Sequence, residues 1–448
     1  TEPMNQVTYD PVNTTVKVQA GVTWNNIHHV LSPIGRSVPV QQSSPYFTVG
    51  GSISVNCHGR DPQQSPLADN IVNLDMLDGA GDYHANVQPN TDLFKAVVGG
   101  YGSCGVIVNA TLKTCADDLL KRQYRYFSTI DKYVAELDRR DAECHQPQLH
   151  HAMLNFSAPR SVLNRTAGAV INAVGDSVTG ITDAIGGLFG ASPAPSGVNK
   201  PEPDFLTDLF CVDYWKLDND DLPEPMPVRT LEQTSWLNSD ALNIGWKQAR
   251  DNDSFRAVTW ELLKGYFAVQ KTDYRNRWLR EDVNFSAHLP SDMTSTDMLQ
   301  EYFVPRDQLV DFIKGFKKIL TDNSVTLLNA TLRVVRREQT GTHLAYCHTG
   351  DMMCLAIDFK ASLDKQSRQG KEAYKPRIAG ETDSWPVRAI ELALSLGGSY
   401  YLPYYAFADK KLFQKAYPKY VQTQTAMQTY NTNHKLSNLF LKKLFIIV

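Results

Sequence analysis

The chain has 448 residues, a length that predicts two or three packed units rather than a single hydrophobic core. Hydrophobic residues make up 42% of the chain and charged residues 21%, which is the balance of a globular protein. The net charge is only -3, and in the absence of a Lys/Arg tract we expect no nucleic-acid partner. No apolar run approaches the roughly 18 residues that a membrane-spanning helix needs, and the apolar residues 444–448 predict a buried strand or helix end.

Seven cysteines are spaced irregularly along the chain, and none belongs to a CxxC pair. We therefore expect no metal site, and reduced thiols typical of a cytoplasmic protein. Asn-x-Ser/Thr sequons, including those at Asn13, Asn155 and Asn329, keep secretion open as an alternative. The first residue is Thr and no signal-peptide pattern follows it, so we expect a start that is processed, engineered or incomplete.

Residues 1 to about 118 predict short β-strands separated by turns. Residues 16–20 alternate like a strand, and Thr23 can cap a helix that ends at Gly35. That helix carries apolar residues at helical spacing: Trp24, Ile27, Val30 and Leu31. Three further segments are apolar or strand-like, and the first of them is framed by glycines: residues 48–59, 71–77 and 106–112.

Residues from about 119 to 398 predict longer elements. Apolar positions at helical spacing run from Leu309 to Leu320, and strands are expected at 325–335 and 353–359. The mixture predicts an α+β unit with a mainly antiparallel sheet.

A glycine-rich segment, residues 161–197, interrupts this second region. An apolar stripe runs from Leu163 to Leu188, but glycines in a helix interior cost roughly 1 kcal/mol each. Such a helix needs a cover for its stripe, and three covers stay open: the core of its own domain, a partner surface, or a membrane surface touched through residues 161–190. The glycines and the Pro/Ser-rich exit favour a mobile flap over the substrate opening.

A dense pattern of glycines and apolar residues marks the first region. Its parts are Ala20-Gly21-Val22, Pro39-Val40, Thr48-Val49-Gly50-Gly51, His58-Gly59, Leu93-Phe94, Gly99-Gly100-Tyr101-Gly102 and Gly105-Val106-Ile107. The pattern resembles the FAD-binding domain of the vanillyl-alcohol oxidase / p-cresol methylhydroxylase (PCMH) superfamily, and within it is similar to decaprenylphosphoryl-ribose oxidase and to sugar and aldonolactone oxidases. The resemblance covers roughly residues 3–115 and returns at residues 397–402.

The resemblance implies FAD as cofactor and assigns residues to it. Backbone N–H groups in tight turns suit a pyrophosphate, and a flat, dry slot with a few polar groups suits the isoalloxazine ring. Near the pyrophosphate it implies Ser43, Thr48, Val49, Gly50 and Gly51. Beside the ring it implies Val55, Asn56, Cys57, His58 and Gly59. Ile107 is implied at the adenine end and Tyr401 on the C-terminal return. Residues 434–438 resemble the closing motif near the cofactor. Taken alone, a Gly-Gly pair before a strand is more often a turn or bulge than a phosphate site.

Two departures from the family's pattern limit the inference. The family has a segment before the position of Thr1, with a phosphate loop and, in some members, a His that bonds covalently to the flavin. We expect this missing N-terminal segment to complete the FAD domain. The ribose oxidases also carry a Lys at the position of Tyr404, so the exact substrate stays open.

Four residues are candidates for catalysis or substrate binding. His58 has a suitable intrinsic pKa for a base, and Tyr404 can donate a hydrogen bond, although both residue types also occur as packing residues. Asn329 and Arg333 lie four positions apart and would share one face of a strand, either lining the substrate site or facing solvent.

The sequence therefore predicts a two-domain α+β flavoprotein. The FAD domain comprises residues 1–118 and 399–448, and residues 119–398 form the substrate domain. The implied reaction is oxidation of an alcohol carbon of a small-molecule substrate, a sugar, polyol or lipid-linked sugar, by hydride transfer to N5 of FAD. The alternative is a flavin-fold scaffold or binding protein without catalysis.

Overall fold

The fold is described from a computed structural model of the chain. The structure describes residues 4–157, 205–228, 249–250, 253–280, 295–368, 371–377, 384–432 and 435–445. The glycine-rich segment 161–197, with its three proposed covers, lies outside the described residues, as does His434 of the expected closing motif.

The first region forms a five-stranded antiparallel sheet. Its strands are β1 (Val7–Asp10), β2 (Thr15–Gln19), β4 (Ile71–Asp78), β5 (Tyr83–Val87) and β6 (Gly105–Lys113), arranged in the order β1-β2-β6-β4-β5. A separate two-stranded pair joins β3 (Arg36–Ser37) to β7 (Cys115–Ala116). Three short helices pack with these strands: α1 (Trp24–Leu31), α2 (Val49–Ser54) and α3 (Asp92–Val97). The strands expected near residues 16–20, 71–77 and 106–112 are confirmed.

Helix α1 begins where the sequence predicts but ends at Leu31, and a 3-10 turn over Ser32–Ile34 continues the chain to Gly35. The Thr23 side chain accepts a hydrogen bond from the backbone N–H of Asn26, forming a capping box, and Gly35 adopts a left-handed φ of 69° just beyond the helix. Trp24, Ile27 and Leu31 are buried, whereas Val30 is 38% exposed and lies outside the packed stripe.

Residues 48–59 do not form the strand-like stretch that we expected. Residues 49–54 form the helix α2, and the Thr48 hydroxyl caps it by accepting from Gly51 N. Asn56 then reverses the chain at φ 47°. A short apolar run fits a buried helix as well as a buried strand, so periodicity alone could not separate the two.

The second region forms a nine-stranded sheet in which every pairing is antiparallel. Eight strands follow the order β11-β8-β10-β9-β13-β14-β12-β16, and β15 pairs with β14. Their bounds are β8 (Leu119–Phe127), β9 (Leu149–Leu154), β10 (Leu209–Lys216), β11 (Thr272–Tyr274), β12 (Ser295–Pro305), β13 (Leu327–Val335), β14 (Met352–Arg368), β15 (Lys371–Arg377) and β16 (Ser399–Tyr400). The expected α+β class with a large antiparallel sheet is confirmed.

Eight further helices accompany this sheet and the C-terminal part of the described chain. They are α4 (Ile130–Ala142), α5 (Asp253–Ala268), α6 (Arg275–Arg280), α7 (Leu309–Asp322), α8 (Trp385–Ser395), α9 (Lys410–Ala416), α10 (Tyr420–Tyr430) and α11 (Leu439–Leu444). Helix α7 is the one that the spacing from Leu309 to Leu320 predicts, and both of those residues are buried. Leu444 and Phe445 are also buried, at the end of α11. Within the described part of the chain, no helix has the length and apolar character to cross a membrane.

The C-terminal part of the chain contacts the first region again. The Asn438 amide donates to the carbonyl of Tyr101 at 3.0 Å, and Gly79 N donates to the carbonyl of Tyr430 at 2.7 Å. Residues 399–400, however, still pair with β12 of the large sheet, so the chain leaves that sheet after residue 400. The domain boundaries at 118 and 398 stay predictions.

Candidate active site

A cavity of about 260 Å³ lies between the first region and the large sheet. On one side are residues of the loop before α2 and of the turn after it: Gln42, Ser43, Ser44, Phe47, Cys57 and His58. The large sheet and the C-terminal return supply the opposite side: His151, Met153, Asp297, Met298, Leu299, Glu301, Asn329, Thr331, Arg333, Ala356, Asp358, Tyr401 and Tyr404.

Strand register explains why these sheet residues meet. Arg333 pairs with Cys354, Thr331 with Ala356 and Asn329 with Asp358 in the β13–β14 ladder. On the far side of β14, Ala356 pairs with Glu301 and Asp358 with Leu299 in β12. Because alternate residues of a strand point to the same face, these positions form rows across one face of the sheet.

A buried carboxylate joins the two residues that the sequence suggested for catalysis. Glu301 Oε2 lies 2.7 Å from His58 Nε2, and Glu301 Oε1 accepts the Tyr404 hydroxyl at 2.8 Å. The thiol of Cys354 adds a third, longer contact to Glu301 at 3.5 Å. Burial alone would raise the pKa of Glu301, but the neighbouring His58 and Arg333 and the Tyr404 hydroxyl together lower it to about 2. Glu301 is therefore ionised and well partnered at neutral pH.

The other expected site residues on the sheet also face the cavity. Arg333 donates to the Ser43 hydroxyl at 3.0 Å, and the Asn329 amide donates to Asp358 at 3.3 Å. Tyr401 reaches back to the turn after α2, where its hydroxyl donates to the carbonyl of Val55 at 3.0 Å. The structure thus brings Arg333 and Asn329 to one face and places Ser43 and Tyr401 beside it.

Several buried polar atoms around the cavity have no hydrogen-bond partner among the described residues. They are His58 Nδ1, both ring nitrogens of His151, Asn329 Oδ1 and Arg333 Nε. Burial, reinforced by the charge of Arg60, holds the pKa of His151 well below its usual range, so its ring is neutral and offers one donor and one acceptor. An unpaired buried polar group costs about 1–3 kcal/mol, so this set of atoms is typical of a site that binds a polar ligand.

The residues assigned to the pyrophosphate are differently placed. The N–H groups of Val49 and Gly50 donate to the carbonyls of Val22 and Ala20 at 2.7 and 2.9 Å, and Gly51 N donates to the Thr48 hydroxyl. These N–H groups are already used within the protein, and a phosphate role for residues 48–51 stays a prediction.

Three other assigned residues do not line the cavity. The Asn56 side chain is bound on both sides, donating to Glu338 and accepting from Ala68 N. Gly59 lies against Gln41, whose carbonyl oxygen would be 3.0 Å from an added Cβ. Ile107 is a buried residue of β6 in the first sheet. Their roles toward a cofactor stay predictions.

The cavity fits the ring end of a flavin better than its phosphate end. Ser43, Cys57 and His58 on one side and Tyr401 on the other line the cavity with small or aromatic groups. Burial raises the pKa of the Cys57 thiol, which is therefore uncharged beside the slot. The unpartnered Nδ1 of His58 remains for the ring's polar edge. These residues would hold the isoalloxazine.

Sequence reasoning missed Glu301, Asp358 and His151. For Asp358 a signal exists, because it is the acidic residue in the otherwise apolar run from Met352 to Phe359, and a carboxylate inside such a strand needs a partner or a function. Glu301 and His151 become visible only when the strand order places β12 and β9 beside β14 and β13.

Comparison with known proteins agrees with the resemblance found in the sequence. Residues 1–85 match the family model of the FAD binding domain. An uncharacterized oxidoreductase of Rhodococcoides fascians, ORF5 in the fasciation locus, is 36% identical over 27% of this chain and 28% of its own length. Decaprenylphosphoryl-β-D-ribose oxidase of Mycolicibacterium smegmatis is 32% identical over 22% of each chain. D-arabinono-1,4-lactone oxidase of Candida glabrata is 30% identical over 23% of this chain and 20% of its own.

The matched part spans between a fifth and under a third of the length of these curated relatives. The family-model match, residues 1–85, lies within the first region of the fold, which carries the expected glycine pattern. The chain therefore carries a PCMH-type FAD-binding domain, with FAD as the cofactor.

Proposed function

We propose that the protein is an enzyme that oxidises an alcohol carbon of a sugar, polyol or lipid-linked sugar. The observation that carries this proposal is the cavity, in which an ionised Glu301 holds His58 and Tyr404, and in which Asn329, Arg333 and His151 have unpartnered polar atoms. A FAD-binding domain forms the other wall.

The unpartnered atoms match a ligand with several hydroxyl groups. Asn329 Oδ1 can accept a hydroxyl proton, Arg333 Nε–H can donate to a hydroxyl oxygen, and the neutral His151 can do both. A hydroxyl group is both donor and acceptor, so neighbouring hydroxyls of one sugar can satisfy all three side chains. A scaffold without a ligand would leave these groups unpaired at a cost of about 1–3 kcal/mol each.

The names of two relatives support the same substrate class. One is an oxidase of a decaprenylphosphoryl ribose and the other an oxidase of an arabinonolactone. Tyr404 stands where the ribose oxidases carry a Lys, and its hydroxyl is engaged with Glu301. The proposal therefore names the class of alcohol and not one compound.

The residues of the chain have separate tasks in this proposal. FAD, when bound, supplies the acceptor for the hydride that leaves the alcohol carbon. His58 is held by Glu301 and packs edge-on against Phe303, so its polar ring has a fixed orientation in the cavity. Arg333 and Asn329 bind and orient the substrate oxygens, and the burial of the site excludes water.

The proposal is tested by anaerobic mixing of the FAD-loaded protein with D-ribose, D-arabinose, ribitol and D-arabinono-1,4-lactone while the visible flavin bands are followed. At least one compound should bleach the flavin at a rate that saturates with concentration. Arg333→Met should raise the concentration needed for half-maximal rate by about tenfold or more, because a charge-assisted hydrogen bond contributes about 1.5–3 kcal/mol. Asn90→Ala, at an exposed turn before α3, is the matched control and should behave like the parent.

Retention of FAD without bleaching by any member of such a panel, extended to further polyols, would contradict the proposal and favour the non-catalytic alternative.

A further inference from the structure

Three carboxylates line the cavity, and their surroundings differ. Glu301 is surrounded by donors from His58, Tyr404 and Cys354. Asp297 forms an ion pair with Arg250 at 3.0 Å. The side-chain carboxylate of Asp358 accepts a single hydrogen bond among the described residues, the 3.3 Å bond from the Asn329 amide. Asp358 is thus the cavity carboxylate that has an oxygen atom, Oδ1, without a hydrogen-bond donor among the described residues.

Oxidation of an alcohol also needs a group that takes the hydroxyl proton, and the first two candidates are poorly suited. The pKa of Glu301 is lowered to about 2, which makes this carboxylate a very weak base at neutral pH. Burial and the charge of Glu301 raise the pKa of the Tyr404 hydroxyl well above its usual range. The hydroxyl therefore stays protonated and donates a hydrogen bond to Glu301.

His58 is enclosed. Its Nε2 is held by Glu301 at 2.7 Å, and the Cys354 sulfur lies 3.8 Å from the same nitrogen. Aromatic rings surround the imidazole, with centroid distances of 5.5 Å to Phe303, 5.9 Å to Tyr346 and 5.7 Å to Tyr401. This packing restricts the approach of a substrate hydroxyl to the ring and indicates a positioning role.

Asp358 is accessible to a substrate in the cavity, and its pKa is suitable for a base. It lines the cavity and pairs in register with Asn329, which also lines the cavity and whose Oδ1 is unpartnered among the described residues. Burial raises its pKa to about 7, and the charges of Asp297 and Glu301 on β12 act in the same direction. On β13, the Asn329 amide and the charge of Arg333 oppose the rise. A base whose pKa is near the working pH is the most effective.

We propose that Asp358 is a catalytic residue that accepts the proton of the substrate hydroxyl, while Asn329 Oδ1 accepts a hydrogen bond from a neighbouring hydroxyl of the same substrate. This inference rests on the proposed function. The O–H bond breaks and its proton passes to the Asp358 carboxylate, and the electron pair left on oxygen forms the C=O bond. The C–H bond breaks with its electron pair, which leaves as hydride to the FAD already named as acceptor.

The test compares Asp358→Asn with Asp297→Asn, another cavity carboxylate changed to its amide. With D-arabinose, or whichever of the four compounds bleaches the flavin fastest, the reduction rate of the parent should rise with pH through about 7 and then level off. Asp358→Asn should lose on the order of 10²–10⁴-fold in rate, together with this rise. Asp297→Asn should keep the rise but move it to lower pH, because one neighbouring negative charge is removed.

A second readout does not depend on turnover. In infrared difference spectra of the FAD-loaded protein between pH 5.5 and pH 8.5, a protonated-carboxyl band should disappear at high pH. That band should be absent from Asp358→Asn and present in Asp297→Asn. Retained FAD absorbance shows that each variant is folded.

The outcomes separate the two proposals. A parent that no compound reduces overturns the proposed function, and this inference with it. A parent that is reduced, with Asp358→Asn showing the same rate and pH profile, overturns the role of Asp358 alone and returns the proton to His58. Absence of an Asp358-dependent carboxyl band also overturns it.

Discussion

At the scale of single residues, the site depends on one side chain that the sequence did not single out. His58 and Tyr404 were candidates because of their chemistry, but they meet only because Glu301 lies between them. Asn329 and Arg333 could be placed on one face because their spacing of four fits a strand. Glu301 could not, since its strand was not among those predicted and its partners are more than 100 positions away in the chain.

Glu301 should also contribute to stability in a pH-dependent way. Its folded pKa of about 2 lies below the ordinary value of 4.5, so its contribution is fully present above about pH 4.5 and is lost as the pH falls toward 2. The shift corresponds to about 3 kcal/mol. Glu301→Gln should therefore be less stable than the parent at pH 7 by about that amount.

Urea unfolding at pH 7, 5 and 3.5 measures this effect. The difference between parent and variant should be the same at pH 7 and pH 5 and smaller at pH 3.5. A difference that stays the same at all three pH values would show that the negative charge of Glu301 contributes nothing to stability.

At the scale of elements, α2 shows which structural features local sequence patterns could predict and which they could not. The glycine pair was visible in the sequence, but its environment was not. The backbone of Gly51 is helical, a conformation that any residue adopts, and its surface is exposed. Gly50 is the position where a close approach requires glycine, because an added Cβ would lie 2.7 Å from the Cβ of Ala20 on the neighbouring chain segment.

Gly50→Ala and Gly51→Ala form a matched pair for this element. Gly50→Ala should lower the free energy of unfolding by about 1–3 kcal/mol, because the added methyl group forces α2 away from the end of β2. Gly51→Ala should change the free energy of unfolding little. The added Cβ would lie 3.1 Å from the Thr48 hydroxyl, and the better helix propensity of Ala offsets the cost of this close contact.

Thermal unfolding of both variants under one set of conditions decides the matter. Equal effects of the two substitutions would mean that the packing of Gly50 against Ala20 is not what fixes α2.

The large sheet shows the limit of local patterns more clearly. Strands near 325–335 and 353–359 could be predicted from apolar runs, and β13 and β14 confirm them. Which residues then meet depends on register, because a slip of one residue would turn Asn329, Arg333 and Asp358 to the opposite face. Register and strand order are tertiary properties that no single segment encodes.

At the scale of the whole molecule, the site belongs to neither region alone. Loop residues such as Ser43 come from the first region, and Arg333 comes from the large sheet. Buried polar contacts hold the regions together, among them the ion pair of Arg275 with Asp61 at 2.9 Å and the bond from Asn56 to Glu338 at 2.7 Å. The sequence resemblance predicted the FAD domain because its glycine turns are local, whereas the substrate wall had to be found in the fold.

The central claim is that this cavity oxidises an alcohol carbon in contact with a FAD-binding domain. The most direct measurement compares anaerobic flavin bleaching by a sugar or polyol with bleaching by the same compound deuterated at the carbon that is oxidised. If hydride leaves that carbon in this site, bleaching should be slower with the deuterated compound, and the keto or lactone product should form in an amount equal to the FAD reduced. Equal rates with both compounds and no oxidised product would contradict the account.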